Sequence, residues 1–148
     1  MLGQVFVSST RQERLVAEVV ANHIRSMQVD KARLVDVRSS NRHKVKPWFN
    51  DKLDFSPPVP DLAPQGFELL GGRMDYLDGR PVAAVVYQRR EHIISVILWP
   101  DLANVDTQTG RETRQGFHVF RWAHGGMNYF VVSDLNAEEL DGFVHALK

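Results

Sequence analysis

Apolar positions along the chain fall into three regimes, and each predicts a different kind of element. Leu15, Val16, Val19, Val20, Ile24 and Met27 recur three or four apart, the period of a helix with one buried stripe. Thr10-Arg11-Gln12-Glu13 ahead of them has the form of a capping box, so the pattern predicts a helix over 11–28. A short strand follows over 33–37, then polar Ser39-Ser40-Asn41-Arg42. From residue 67 on the pattern is that of strands. Segments 67–70 and 73–77 flank Gly71-Gly72, and Asp78-Gly79 is a strong hairpin signal before the unbroken apolar run Val82 to Tyr87. An unbroken apolar strand is one covered on both faces. A charged turn leads into the strand 92–99, closed by Pro100, and residues 101–115 read as a mobile polar loop. Segments 117–122 and 127–132 make a last hairpin over His124-Gly125-Gly126. A helix over 136–147 ends the chain, with Asn136 as N-cap, Glu139 at the third position and Leu140, Phe143, Val144 and Leu147 as its stripe.

Between these regimes lies a stretch of a third kind. Residues 43–66 carry five of the chain's seven prolines. Proline fixes φ and removes an amide donor, so this stretch is expected to be neither helix nor central strand. Trp48, Phe49, Leu53, Phe55, Val59 and Leu62 are threaded through it, which predicts an irregular excursion packed onto the body of the domain. The expected architecture is one α+β domain: an antiparallel meander of about five strands over 67–133, with the N-terminal and C-terminal helices together covering one sheet face in two layers.

Composition narrows the chemistry. A chain of 148 residues with 43% hydrophobic and 24% charged residues is ordinary globular material and buries a core without metal or disulfide. The absence of cysteine removes disulfides, thiolate nucleophiles, zinc ribbons and iron–sulfur ligation. Net charge is zero. Yet residues 1–50 hold nine Lys/Arg against four Asp/Glu, and residues 51–148 nine against fourteen. The basic first third fits an anionic surface, or simply solvates the first helix. No nucleic-acid-binding signature accompanies it. No apolar run reaches the ~20 residues of a membrane helix.

Phosphate loops, zinc-helix motifs and nucleophile elbows are absent from the sequence; no catalytic residue, metal ligand set or cofactor is assigned. Two sets of residues remain as candidates. His43, Lys44, Lys46, Trp48, Phe49 and Asn50 combine cations with an indole and suit an acidic or amphipathic partner. Alternatively Trp48 and Phe49 anchor the excursion while the lysines are merely solvated. His92, His118, Trp122 and His124 are candidates for a small-ligand or metal pocket, with His118 and His124 expected on adjacent strands of one hairpin.

The run from His43 through Val45-Lys46-Pro47-Trp48-Phe49-Asn50-Asp51 to Leu62, the segment Gly71 to Ala83, Gly125-Gly126-Met127, and Val132 to Asn136 resemble a known family. They are similar to the C-terminal part of transmembrane anti-sigma factors (transmembrane transcriptional regulators) of proteobacteria. The resemblance implies a periplasmic sensor or regulatory domain of a single-pass inner-membrane protein. A membrane tether would precede residue 1, and 11–28 would be a membrane-proximal helix. A sigma factor would be held by a cytoplasmic domain that this chain lacks, and the domain itself would contact periplasmic proteins or its own copies. It implies no catalytic residues. The competing expectation is a free-standing small-ligand or metal-binding protein.

Overall fold

Seven strands form one antiparallel sheet in the order β1-β2-β3-β4-β7-β6-β5. They are β1 (Val37–Arg38), β2 (Glu68–Leu77), β3 (Arg80–Arg89), β4 (His92–Pro100), β5 (Gly110–Arg114), β6 (Phe117–His124) and β7 (Met127–Ser133). Among the described residues three α-helices accompany them: α1 (Leu2–Ser26), α2 (Arg42–Asn50) and α3 (Ala137–Leu147). The computed structural model describes residues 2–28 and 34–148.

The α+β class with an antiparallel sheet is as expected, but the layering differs. Along β3, Val82 and Ala84 face the cluster that includes Val16, Val19 and Val20 of α1. Their neighbours Ala83, Val85 and Tyr87 face Val45 and Phe49 of α2 and Leu140, Phe143 and Val144 of α3. The two terminal helices therefore lie on opposite faces, giving three layers. The reason is the continuous apolar character of β3 and β4: each strand buries both faces, so each face needs its own cover.

Several expected boundaries shift. Helix α1 runs back through Thr10 to Leu2, so the capping-box motif does not mark its start. The strand expected over 33–37 begins outside the described residues; what is found is the two-residue β1. The two short strands about Gly71-Gly72 are one strand, β2, with a bulge there. Gly71 is required by close approach, since a Cβ would come 2.0 Å from the Val37 carbonyl oxygen of β1. The polar loop is shorter than expected, because Gly110–Arg114 pairs with β6 as an edge strand. The remaining loop is pinned: Thr107 N donates to Ala123 O (2.9 Å), and Ala123 N donates to Thr107 Oγ1 (2.8 Å).

The start of the proline-rich excursion is helical, contrary to expectation. Asn41 caps α2 by accepting from His43 N at 2.9 Å, and Pro47 sits inside the helix. A proline near the middle of so short a helix forfeits only the bond to the His43 carbonyl. Burial of Val45 and Phe49, both fully inaccessible, offsets that loss. The rest of the excursion is irregular with a 3-10 turn at Ala63–Gln65, and Val59 and Leu62 insert into the same core.

The membrane expectation is corrected. No helix among the described residues is long and apolar enough to cross a membrane, and the sheet ends in edge strands β1 and β5 rather than closing into a barrel. The expectation of a single-pass inner-membrane protein, a transmembrane regulator, is thus overturned for the described residues, which hold no membrane-spanning helix. The stripe of Val16, Val19 and Val20 on α1 packs on the sheet, as its periodicity predicts.

Candidate functional site

The expected recognition residues divide between the core and the surface. Phe49 is fully buried against the sheet, and Trp48 is half-buried edge-on to it, with ring centroids 5.1 Å apart. Both are anchors. His43, Lys46 and Asn50 instead line one wall of a groove of about 600 Å³, together with Arg42 and Pro47. The opposite wall is Pro58-Val59-Pro60. Lys44 is exposed on the first turn of α2 and does not line the groove.

The groove is held rigidly. Lys46 Nζ donates across it to the Pro57 carbonyl at 3.0 Å, and Tyr87 Oη donates to the Pro60 carbonyl at 2.8 Å. Burial pushes the Tyr87 phenol well above its usual range, so it remains a donor at any ordinary pH. Because Pro47 has no amide hydrogen, the His43 carbonyl lacks its helical donor and remains an available acceptor on this wall.

The electrostatics of α2 are unusual. Its first turn contains Arg42, His43 and Lys44 and no acidic residue. The amino end of a helix carries partial positive charge, so cations there are unfavourable. Helix α3 follows the rule, with Glu138 and Glu139 in its first turn. No ion pair to Arg42, His43, Lys44 or Lys46 is formed among the described residues, and no carboxylate lines the groove. The basic charge is therefore uncompensated from either source.

The second expected set is not brought together. His118 and His124 stand at opposite ends of the single strand β6, roughly 20 Å apart at strand rise, not on adjacent strands. Each histidine has its own partner. His92 Nδ1 lies 2.9 Å from Asp134, His118 Nδ1 3.0 Å from Thr113 Oγ1, and His124 Nδ1 2.9 Å from Asp106. Trp122 stacks on Tyr129 at 4.8 Å within the core. Among the described residues no group of three His, Cys, Asp or Glu is placed to hold a metal.

Beneath α1 lies a buried polar chain that the sequence did not reveal. Arg73 Nη1 donates to the Leu34 carbonyl (3.2 Å) and to Ser95 Oγ (3.5 Å), while its Nε donates to Asp75 (3.3 Å). Ser95 Oγ lies 2.7 Å from His23 Nδ1. Arg73 can only donate, so Ser95 Oγ accepts from it and donates its own hydrogen to His23 Nδ1, which sets the Nε2–H tautomer; His23 Nε2 itself is buried without a hydrogen-bond partner among the described residues. Burial, and then Arg73, push the His23 pKa down to about 3. A serine–histidine pair resembles a nucleophile with its base. Ser95 is completely inaccessible and His23 nearly so, so no substrate reaches it, and the chain fastens α1 to the sheet.

No family model, curated protein or solved structure matches this chain. The likeness to anti-sigma factors rests on the quoted residues alone. The Arg73–Ser95–His23 chain is buried, whereas the groove beside α2 is open to solvent.

Proposed function

We propose that this chain is a non-catalytic recognition domain of a regulatory protein, the role the anti-sigma resemblance implies, and that it binds an acidic segment of a partner protein along the α2 groove. The observation that carries this reading is the basic first turn of α2, unfavourable to its own helix and uncompensated among the described residues. Local rules are broken in this way where function requires it. Arg42 and Lys46 supply positive charge, and the His43 carbonyl and Asn50 amide supply hydrogen bonds. Pro58-Val59-Pro60 offers an ordered wall that loses little entropy on binding. An acidic strand laid between the walls would meet cations on one side and apolar rings on the other.

Calorimetric titration with an oligoglutamate peptide at low salt tests the reading, with oligolysine as the control. Saturable binding of oligoglutamate, weakened tenfold or more by Arg42→Glu with His43→Glu, supports it. Absence of binding at concentrations on the order of 1 mM, or equal affinity of the double variant, refutes it.

A further inference from the structure

The two edges of the sheet are finished differently. Along β2, beyond the two residues of β1, side chains take up outward backbone groups. Asp36 Oδ2 accepts from Met74 N (2.8 Å), Asn22 Nδ2 donates to Tyr76 O (2.9 Å), and Glu18 Oε1 accepts from Asp78 N (2.9 Å). Groups so occupied are closed to another strand.

The other edge is β5, and its turn into β6 fixes which of its groups point out. Gln115 and Gly116 both have positive φ, 55° and 83°, and Arg114 pairs with Phe117 across them. In a two-residue hairpin of this kind the flanking residues exchange both hydrogen bonds. Counting back from Arg114 by twos, Glu112 and Gly110 also bond to β6, so Arg111 and Thr113 aim their N–H and C=O groups outward. Among the described residues no side chain caps those groups as Asp36, Asn22 and Glu18 cap β2.

Charged side chains standing across an edge ordinarily guard it. On β5 they are drawn back onto their own domain. Arg111 holds Asp141 of α3 at 2.7 Å and lies over the Phe120 ring at 4.7 Å. Glu112 lies 3.8 Å from Arg121 of β6, and Thr113 Oγ1 lies 3.0 Å from His118 Nδ1.

We propose that β5 pairs antiparallel with β5 of a second copy of this chain, about a two-fold axis normal to the sheet, so that the two sheets become one. Charge chooses the register. A two-fold pairing of identical strands is centred on one residue, which then faces itself. Centres at Arg111, Glu112 or Arg114 set like charges directly opposite, which is destabilising. The centre at Thr113 sets Glu112 opposite Arg114 of the second copy, twice by symmetry, on the face that α1 packs against. It also joins the outward N–H of each Thr113 to the Thr113 carbonyl of the other copy. So short a pairing falls below the interface of a stable dimer, and a dissociation constant on the order of 0.1 mM is expected. This surface is independent of the α2 groove, since α2 packs on β1 and β2 at the opposite end of the strand order.

Sedimentation equilibrium of the full chain at low salt, from about 10 μM to about 1 mM, should show monomer giving way to dimer. Glu112→Arg should weaken the dimer tenfold or more, and Glu112→Arg combined with Arg114→Glu should restore it. Thr113→Pro removes an outward donor but no bond to β6, so it should also weaken the dimer tenfold or more at an unchanged circular dichroism spectrum. The charge swap carries the test if proline strains the strand. A chain that stays monomeric at about 1 mM, a Glu112→Arg variant that dimerises as tightly as the parent, or a double variant that regains no affinity would overturn the assignment.

Discussion

Replacing Lys44 by Glu should make the protein more stable and its proposed function worse. Lys44 is exposed, makes no ion pair among the described residues, and sits in a helical first turn that lacks any acid. A charge in that turn is worth about 0.3–1 kcal/mol at low salt, unfavourable for a cation and favourable for an anion. Reversal sums the two, and exposure draws the result toward the lower half, so a gain of about 1 kcal/mol is expected. Lysine and glutamate have similar helix propensities, so the change isolates charge. Helix α2 contributes Val45 and Phe49 to the main core, which couples its stability to global unfolding. For a domain of this size about 1 kcal/mol raises the melting temperature by roughly 2–4 °C. Differential scanning calorimetry at low salt and again at about 1 M salt, where the screening length falls to about 3 Å, separates this from other causes. The gain should largely disappear in high salt, Lys44→Gln should give about half of it, and oligoglutamate affinity should fall. A variant no more stable than the parent at low salt, or a gain indifferent to salt, would refute the dipole argument on which the groove assignment leans.

Three further outcomes follow from particular contacts. With its folded pKa pushed down to about 3, His23 stays neutral in the native state while the unfolded chain binds a proton below about 6.5. Its contribution is intact above that value and is lost as pH falls from 6.5 toward 3, by up to about 1.4 kcal/mol per pH unit. Urea melts between neutral pH and pH 4 should show this slope and His23→Gln should flatten it; an unchanged slope would place the titration elsewhere. Hydrogen bonds from Arg90 and then Arg89 hold the Glu139 carboxyl down at about 2, so its stabilising contribution persists above the ordinary carboxylate value and is lost as pH falls through about 2. Glu139→Gln should remove that part of the acid limb in urea melts carried on from about pH 5 down to about pH 2. A Cβ on Gly72 would come 2.5 Å from the Phe49 ring, so Gly72→Ala should cost about 1–3 kcal/mol by overpacking. In Phe49→Leu that cost should shrink, and strict additivity of the two changes in a double-mutant cycle would contradict the contact.

Much of the fold was legible because its signals are local. The stripe Val16, Val19, Val20 marks α1, Asp78-Gly79 turns β2 into β3 with positive φ at both residues, and Asn136 caps α3 by accepting from Glu139 N at 2.9 Å. The opposite placement of the terminal helices was also available, since a run such as Val82 to Tyr87 demands cover on both faces. It was lost by assigning both helices to one face. Helix α2 is hidden by the proline count of its stretch, although Pro47 alone falls in the helix and the other prolines of 43–66 lie beyond it. The overlooked signal was Asn41, a capping residue just ahead of the segment. Strand β5, Gly-Arg-Glu-Thr-Arg, has no apolar alternation because it is an edge strand, so nothing in its pattern separates it from loop.

The candidate site was less legible than the fold, since it is not local. His43, Lys46 and Asn50 could be picked out from composition, but the Pro58-Val59-Pro60 wall that makes them a groove depends on how the excursion folds back through Val59 and Leu62.

The most direct test of the recognition groove is residue-resolved. Amide resonances of the isotopically labelled protein are followed as oligoglutamate is added. The account predicts saturating shifts confined to residues 42–50 and to Val59 with its neighbours, fading as salt is raised. Shifts spread evenly over every basic patch, or gathered elsewhere while α2 stays silent, would contradict it.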